Sequence, residues 1–163
     1  MTAAASSVEY FLRTVQERLV SRPELVGKVV VKEQHIKDQP QVEIEIPKGD
    51  PDGFDVSLAF FDNWEIFVYV DQTTVSFFLS NSPRDEAQNK QRVDECVSMV
   101  LQVLGPSHRL RQTYRGQEAY RGVLEELSAT GWVAKARWSK LMLWRHFFGR
   151  KTERVFQNRL LET

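Results

Sequence analysis

"QEAYRGVLEEL", residues 117–127, sets Tyr120, Val123, Leu124 and Leu127 on one helical face, although Gly122 interrupts it. Its neighbours read differently. "HRLRQTYR" (108–115) is compatible with a strand, with strand or helix left open over 107–116, residues 128–131 form a loop, and residues 132–138 alternate. There Trp132, Ala134, Ala136 and Trp138 fall on one face and Val133, Lys135 and Arg137 on the other, a strand with a basic outer face. From Trp138 onward, Trp138, Leu141, Met142, Trp144 and Phe148 occupy a helical arc that stops at Gly149, with Leu143 and Phe147 left on other sides. Trp132, Trp138 and Trp144 recur at a spacing that would put each on a different side of one helix, so they form no single aromatic ridge. The last stretch, "RKTERVFQNR" (150–159), fits a final helix or a final strand equally.

Upstream the signal is cleaner. "KVVVKEQ" (28–34) is a β-branched run, and "VEIEI" (42–46) alternates without a fault. "PKGDPDG" (47–53) is a turn, "FDVSLAF" (54–60) alternates again, and "WEIFVYV" (64–70) and "VSFFLS" (75–80) follow after short turns. Closely spaced apolar runs with short connections predict an antiparallel meander. Its apolar face needs a cover. Val93, Cys96, Val97, Val100, Leu101 and Leu104 supply one as a helix over 83–104, capped near Ser82 and ended by Gly105-Pro106. A second amphipathic helix is predicted over 7–21, through Val8, Phe11, Leu12, Val15 and Leu19, with Ser6 and Glu9 as a capping box. The expected fold class is therefore α+β: one domain over 1–163, a twisted antiparallel β-meander of about five to six strands packed against two or more helices. The expected core contains Phe11, Leu12, Val15, Val56, Leu58, Val97, Val100, Leu101 and Leu104. The order of helix, meander, helix and further elements resembles that of small bacterial protein-binding folds such as secretion chaperones and toxin-neutralising immunity proteins, without a shared motif.

At 163 residues, 42% hydrophobic and 27% charged, the chain can bury a core and is not of disordered composition. Its zero net charge conceals a division. Residues 1–106 carry 10 Lys/Arg against 17 Asp/Glu, and residues 107–163 carry 12 against 5, so −7 is followed by +7. A single cysteine, Cys96, rules out an intrachain disulfide and, within an apolar stripe, reads as an inert buried thiol. No secretory leader pattern and no membrane-length apolar run is visible, so the expected location is cytoplasmic.

No residue pattern carries catalysis. His35, His108 and His146 stand apart, without Cys or acid at metal-ligand spacing, and read as surface or cap residues. Asp50, Asp52 and Asp55 in "DPDGFD" sit in a turn and lack the rest of a calcium loop. No nucleotide-binding glycine pattern or nucleophile elbow is present. No cofactor or metal is implied. The expected function is a non-enzymatic protein-interaction module, using a basic, aromatic-rich C-terminal part (131–163). The candidate partner-binding residues are Lys135, Arg137, Lys140, Arg145, Arg150, Lys151 and Phe147. The expected partner is an acidic protein surface or a second copy of the chain, with no role for a membrane. The alternative is a nucleic-acid-binding protein using the same surface, because aromatics among cations also suit stacked bases and phosphates.

Overall fold

The computed structural model describes residues 3–36, 39–61, 64–71, 73–78, 85–140 and 150–161; for residues 3–6, 35, 36, 39, 40 and 73–78 the description is of the backbone alone.

Period-2 alternation builds the first sheet. Its strands are β1 (Val30–Ile36), β2 (Gln39–Ile46), β3 (Val56–Phe61), β4 (Ile66–Val70) and β5 (Thr73–Phe78), antiparallel and in chain order. Ile44 lies opposite Leu58, which lies opposite Val68; Val42, Phe60 and Ile66 form the next row, and Ile46, Val56 and Val70 the one beyond. All nine are buried. Opposed residues of an antiparallel pair share a face, so one face of the sheet is continuous hydrocarbon. Two helices cover it: α1 (Ala3–Val15), continued by a π-helical turn over Gln16–Val20, and α2 (Glu86–Leu104). Phe11 stacks on Phe60 with ring centroids 4.5 Å apart, and Trp64 meets Phe60 edge-on at 6.0 Å. Polar contacts fix the helices to each other. Tyr10 Oη donates to Asp94, and Arg18 donates to the Asp94 carbonyl and to Ser98 Oγ.

Two helix starts differ from expectation. α1 begins at Ala3, which puts Ser6 inside the helix rather than at a capping box. α2 is capped by Asp85, whose carboxylate accepts from the Gln88 amide at 3.0 Å; an acid there also suits the positive end of the helix. Of the expected core, Leu12 and Leu101 are only half-buried at the helix margins, and the other seven are buried.

The fold class needs correction. The strands do not make one meander of five to six. A second, separate antiparallel sheet follows α2, formed by β6 (His108–Arg115), β7 (Glu118–Ser128), β8 (Gly131–Ser139) and β9 (Lys151–Phe156), in the order β8-β7-β6-β9. The cause is residues 117–127, which form β7 and not a helix. Val123 and Leu124 point to opposite faces of a central strand and both are buried, at 4% and 5% exposure. An apolar pair buried on both faces shows no strand period, and the same residues fit a helical stripe. Gly122 has a strand role. A Cβ there would lie 2.0 Å from the Nε1 of Trp138, because the indole crosses the β7 backbone at that point. Residues 150–159 resolve as a strand, and the helix expected beyond Trp138 lies, at 141–149, outside the described residues.

The two sheets join at the C-terminal end of α2. β6 leaves α2 after one turn and buries Leu110 in the common core. Gln112 donates through Nε2 to the Asp71 carboxylate at 2.8 Å, tying β6 to the β4–β5 turn, and its Oε1 accepts from Tyr114 Oη at 2.6 Å. The segment after β9 closes the joint. Asn158, 1% exposed, accepts from the Phe54 amide and donates to the Phe54 carbonyl, while the Gln157 amide donates to Asp52 and the Leu161 amide to Leu104. "DPDGFD" is accordingly a hinge-side turn: Asp50 accepts from the Asp52 and Gly53 amides, and Asp55 accepts from the Lys48 amide.

Cys96 lies on the buried stripe of α2, and burial, aided by Glu95, pushes its thiol up to about 12. Thiolate is the reacting form. A thiol-labelling reagent is therefore expected to modify the folded protein slowly and the denatured protein at once; equal rates would remove Cys96 from the core.

Candidate functional site

The C-terminal sheet has an inner face, turned to α2 and the first sheet, and an outer face. Strand pairing assigns each side chain. On β6 the inner face takes His108, Leu110, Gln112 and Tyr114, and the outer face takes Arg109, Arg111 and Thr113. On β7 the outer residues are Arg121, Val123, Glu125 and Leu127, because Arg109 lies opposite Glu125 and Arg111 opposite Val123. On β9 they are Lys151, Glu153 and Val155, opposite Arg115, Thr113 and Arg111.

β8 carries a bulge. Glu125 pairs with Ala134 but Leu124 pairs with Ala136, so Lys135 is the extra residue. The alternation expected through 132–138 is broken there. Trp132 and Ala134 lie on the outer face, whereas Ala136 and Trp138 lie on the inner one. Arg137, opposite Val123, is outer.

The predicted basic cluster is consequently divided. Lys135 turns inward and forms an ion pair with Glu126 beside His108. Lys140 sits over the Trp138 ring, 5.7 Å from its centroid. Arg137 and Lys151 share the outer face but occupy opposite edge strands of a four-stranded sheet, about 14 Å apart across the strands at ordinary spacing, and Lys151 lies four residues along β9 from Val155, the β9 residue in Arg137's row. Arg150 is exposed just before β9. Arg145 and Phe147 lie outside the described residues, as does His146. The His108 expectation is also corrected. It is 5% exposed, with Nδ1 3.0 Å from Ser107 Oγ, and burial holds its pKa below the usual histidine value.

What the outer face gathers instead is a set of arginines from β6 and β7 that sequence reasoning did not single out. Glu125 is its centre. Arg109 Nε donates to one carboxylate oxygen at 2.7 Å, and Arg111 Nη2 and Nε donate to the other at 2.7 and 3.1 Å. Glu125 is only 5% exposed. Burial acts to raise its pKa, but hydrogen bonds from Arg111 and Arg109, with their charges, prevail and hold it below the usual carboxylate value. Arg109 also lies over Trp132, its guanidinium carbon 4.2 Å from the ring centroid. Arg111 reaches toward Glu153 at 3.9 Å, as Lys151 does from the far side. Val123, 4% exposed, lies between Arg111 and Arg137 in register, where long cationic side chains can shield apolar surface. Arg137 and Arg121 stand exposed in the next two rows beyond this fixed centre, and Leu127 and Val155 are 51% and 49% exposed on the same face.

The arrangement can do one thing well: present oriented guanidinium groups beside small apolar patches. Among the described residues, no group of three or more His, Cys, Asp or Glu is placed to hold a metal ion, and no helix is long and apolar enough to cross a membrane.

The first sheet has an outer face of contrasting chemistry. Glu43, Ala59 and Phe67 form one row across it and Glu45, Ser57 and Tyr69 the next, with Phe61 opposite Gln41. Phe61 and Phe67 meet edge-to-face at 5.6 Å, and Phe67 stacks toward Tyr69 at 6.3 Å. These three rings and both glutamates are half-buried. Lys32 Nζ pairs with Glu45 at 2.5 Å. Burial, with Glu43 nearby, raises the Tyr69 pKa.

Comparison with protein-family models, curated proteins and solved structures finds no match to this chain.

Proposed function

We propose that the chain is a non-catalytic protein-interaction module, acting in the cytoplasm, which takes an acidic protein surface on the outer face of its C-terminal sheet. One observation carries the reading: Glu125, itself buried, fixes Arg109 and Arg111, while Arg137 and Arg121 are left exposed in the next two rows of the same face. Pre-oriented guanidinium groups lose less side-chain freedom on binding, and their fork geometry suits carboxylates. Leu127 and Val155 add apolar contact area within the same face. Trp132 is already engaged by Arg109, which argues against a free stacking platform for bases.

The test compares a fluorescent polyglutamate peptide with random single-stranded and duplex oligonucleotides, for the wild type and the doubly substituted R121E/R137E protein. The peptide should bind the wild type and lose at least about tenfold in affinity with the variant, as charge reversal at a binding face does. Oligonucleotide binding with a log–log salt slope near −3 to −4, the expectation for about four phosphate contacts, and lost in the same variant, would replace this reading by nucleic-acid recognition.

A further inference from the structure

We propose that a second copy of this chain is one such acidic partner, docking head to tail: the outer face of the N-terminal sheet of one copy lies on the outer face of the C-terminal sheet of the next. The inference rests on the reading of the C-terminal outer face as a binding surface, and it names the occupant.

The charges come first. The −7 of residues 1–106 lies in the part of the chain that holds α1, the first sheet and α2, and the +7 of residues 107–163 in the part that holds the second sheet. Arg18–Asp94, Lys32–Glu45 and Lys90–Glu86 are ion pairs within the first part, and Arg109–Glu125, Arg111–Glu153 and Lys135–Glu126 are pairs within the second. Residual charge is therefore left segregated. At the joint between the sheets Gln112 donates to the Asp71 carboxylate in the β4–β5 turn, and Asn158 pairs with the Phe54 backbone.

The faces are complementary in chemistry as well as sign. One offers Glu43 and Glu45 beside the rings of Phe61, Phe67 and Tyr69. The other offers Arg121 and Arg137, with Leu127 and Val155 exposed elsewhere on the same face. Face-to-face sheets pack about 10 Å apart with interdigitating side chains, which allows arginines to reach both carboxylates and aromatic faces. A contact between like faces would set arginine against arginine, or glutamate against glutamate. The attractive pairing joins two different surfaces, so it is heterologous and extends to a ring or an open chain of copies.

Light scattering across concentration and salt reads the proposal. The mass of the wild type should rise with concentration and fall as salt passes about 0.15 M, where screening shortens to about 8 Å. R121E/R137E lacks the basic face and E43Q/E45Q lacks the acidic one, so each alone should stay monomeric. Mixed, they retain one live interface between them and should form a dimer that grows no further. All of these residues are surface positions, and an unchanged circular-dichroism spectrum and denaturation midpoint certify each variant as folded. A wild type that remains monomeric throughout, yet binds polyglutamate through Arg121 and Arg137, overturns the inference and leaves the binding reading standing. Failure to bind polyglutamate removes the reading itself. Self-association that persists in both variants, or a mixture that remains monomeric, also overturns the head-to-tail contact.

Discussion

Phe60→Ala is expected to cost about 3–5 kcal/mol of unfolding free energy, the range for deleting a buried aromatic ring. Phe60 is fully buried next to the C-terminal end of β3, stacked on Phe11 from α1 and met edge-on by Trp64. Its removal takes away the contact that seats α1 on the first sheet and opens a cavity that neither strand nor helix can close by sliding. Phe60→Leu keeps most of the volume and should lose far less, though more than the 1.5 kcal/mol or so typical of volume-conserving exchanges, because it also loses two ring–ring contacts. Leu101→Ala, at the half-buried margin of α2, should fall below the 2–5 kcal/mol expected of a fully buried leucine. Urea denaturation orders the three. A Phe60→Ala midpoint no lower than that of Leu101→Ala would mean that the ring stack does not hold α1 in place.

The first sheet was legible because only one of its faces is hydrocarbon. Val42, Ile44 and Ile46 alternate with Glu43 and Glu45, and the alternation states both the strand and its inner face. The second sheet was not legible for the opposite reason. Its central strand is buried on both sides, at Leu124 in the core and at Val123 on the outer face, so the period that identifies a strand is absent where the strand is most buried. Gly122 was a warning against a helix. Its true role depends on Trp138, which is far from it in sequence and adjacent to it in the ladder.

The candidate surface suffered a similar loss. Lys135 and Arg137 are two residues apart and would share a face in a regular strand, but the bulge at Lys135 reverses the phase between them. Nothing local in "AKAR" announces that extra residue. The arginines at 109 and 111 did carry a signal. They alternate with Leu110 and Gln112 in a segment compatible with a strand, and the acid that organises them, Glu125, lies in the segment read as a helix. Once 117–127 is a strand, Glu125 falls opposite Arg109 and the cluster follows.

Asn158→Ala should cost about 2–5 kcal/mol, because it leaves both the amide and the carbonyl of Phe54 buried without partners. Asn158 acts as a one-residue strand partner, its carboxamide supplying an acceptor and a donor in the places of a backbone peptide. The same side chain fills the space above Gly53, where a Cβ would come within 2.7 Å of Oδ1. Solvent entering an alanine-sized gap could re-pair one group only where the site opens, and Asn158 is 1% exposed. Asn158→Asp makes the distinction between lost packing and lost hydrogen bonding. Ionised, the carboxylate still accepts from the Phe54 amide but faces the Phe54 carbonyl with a lone pair. Protonated, it can donate to that carbonyl as the amide does. Burial and the facing carbonyl both favour the protonated acid, so the folded pKa of this group is raised above its unfolded value. The substituted protein should then be most stable below the ordinary carboxylate range and lose stability as pH rises through that range to the folded pKa, relative to the wild type at each pH. Denaturation midpoints of wild type, N158A and N158D across acidic to neutral pH give the answer. A pH-independent difference between N158D and wild type would show that the carbonyl of Phe54 does not need the donor, and that the C-terminal segment is held at the joint by Gln157 and Leu161 instead.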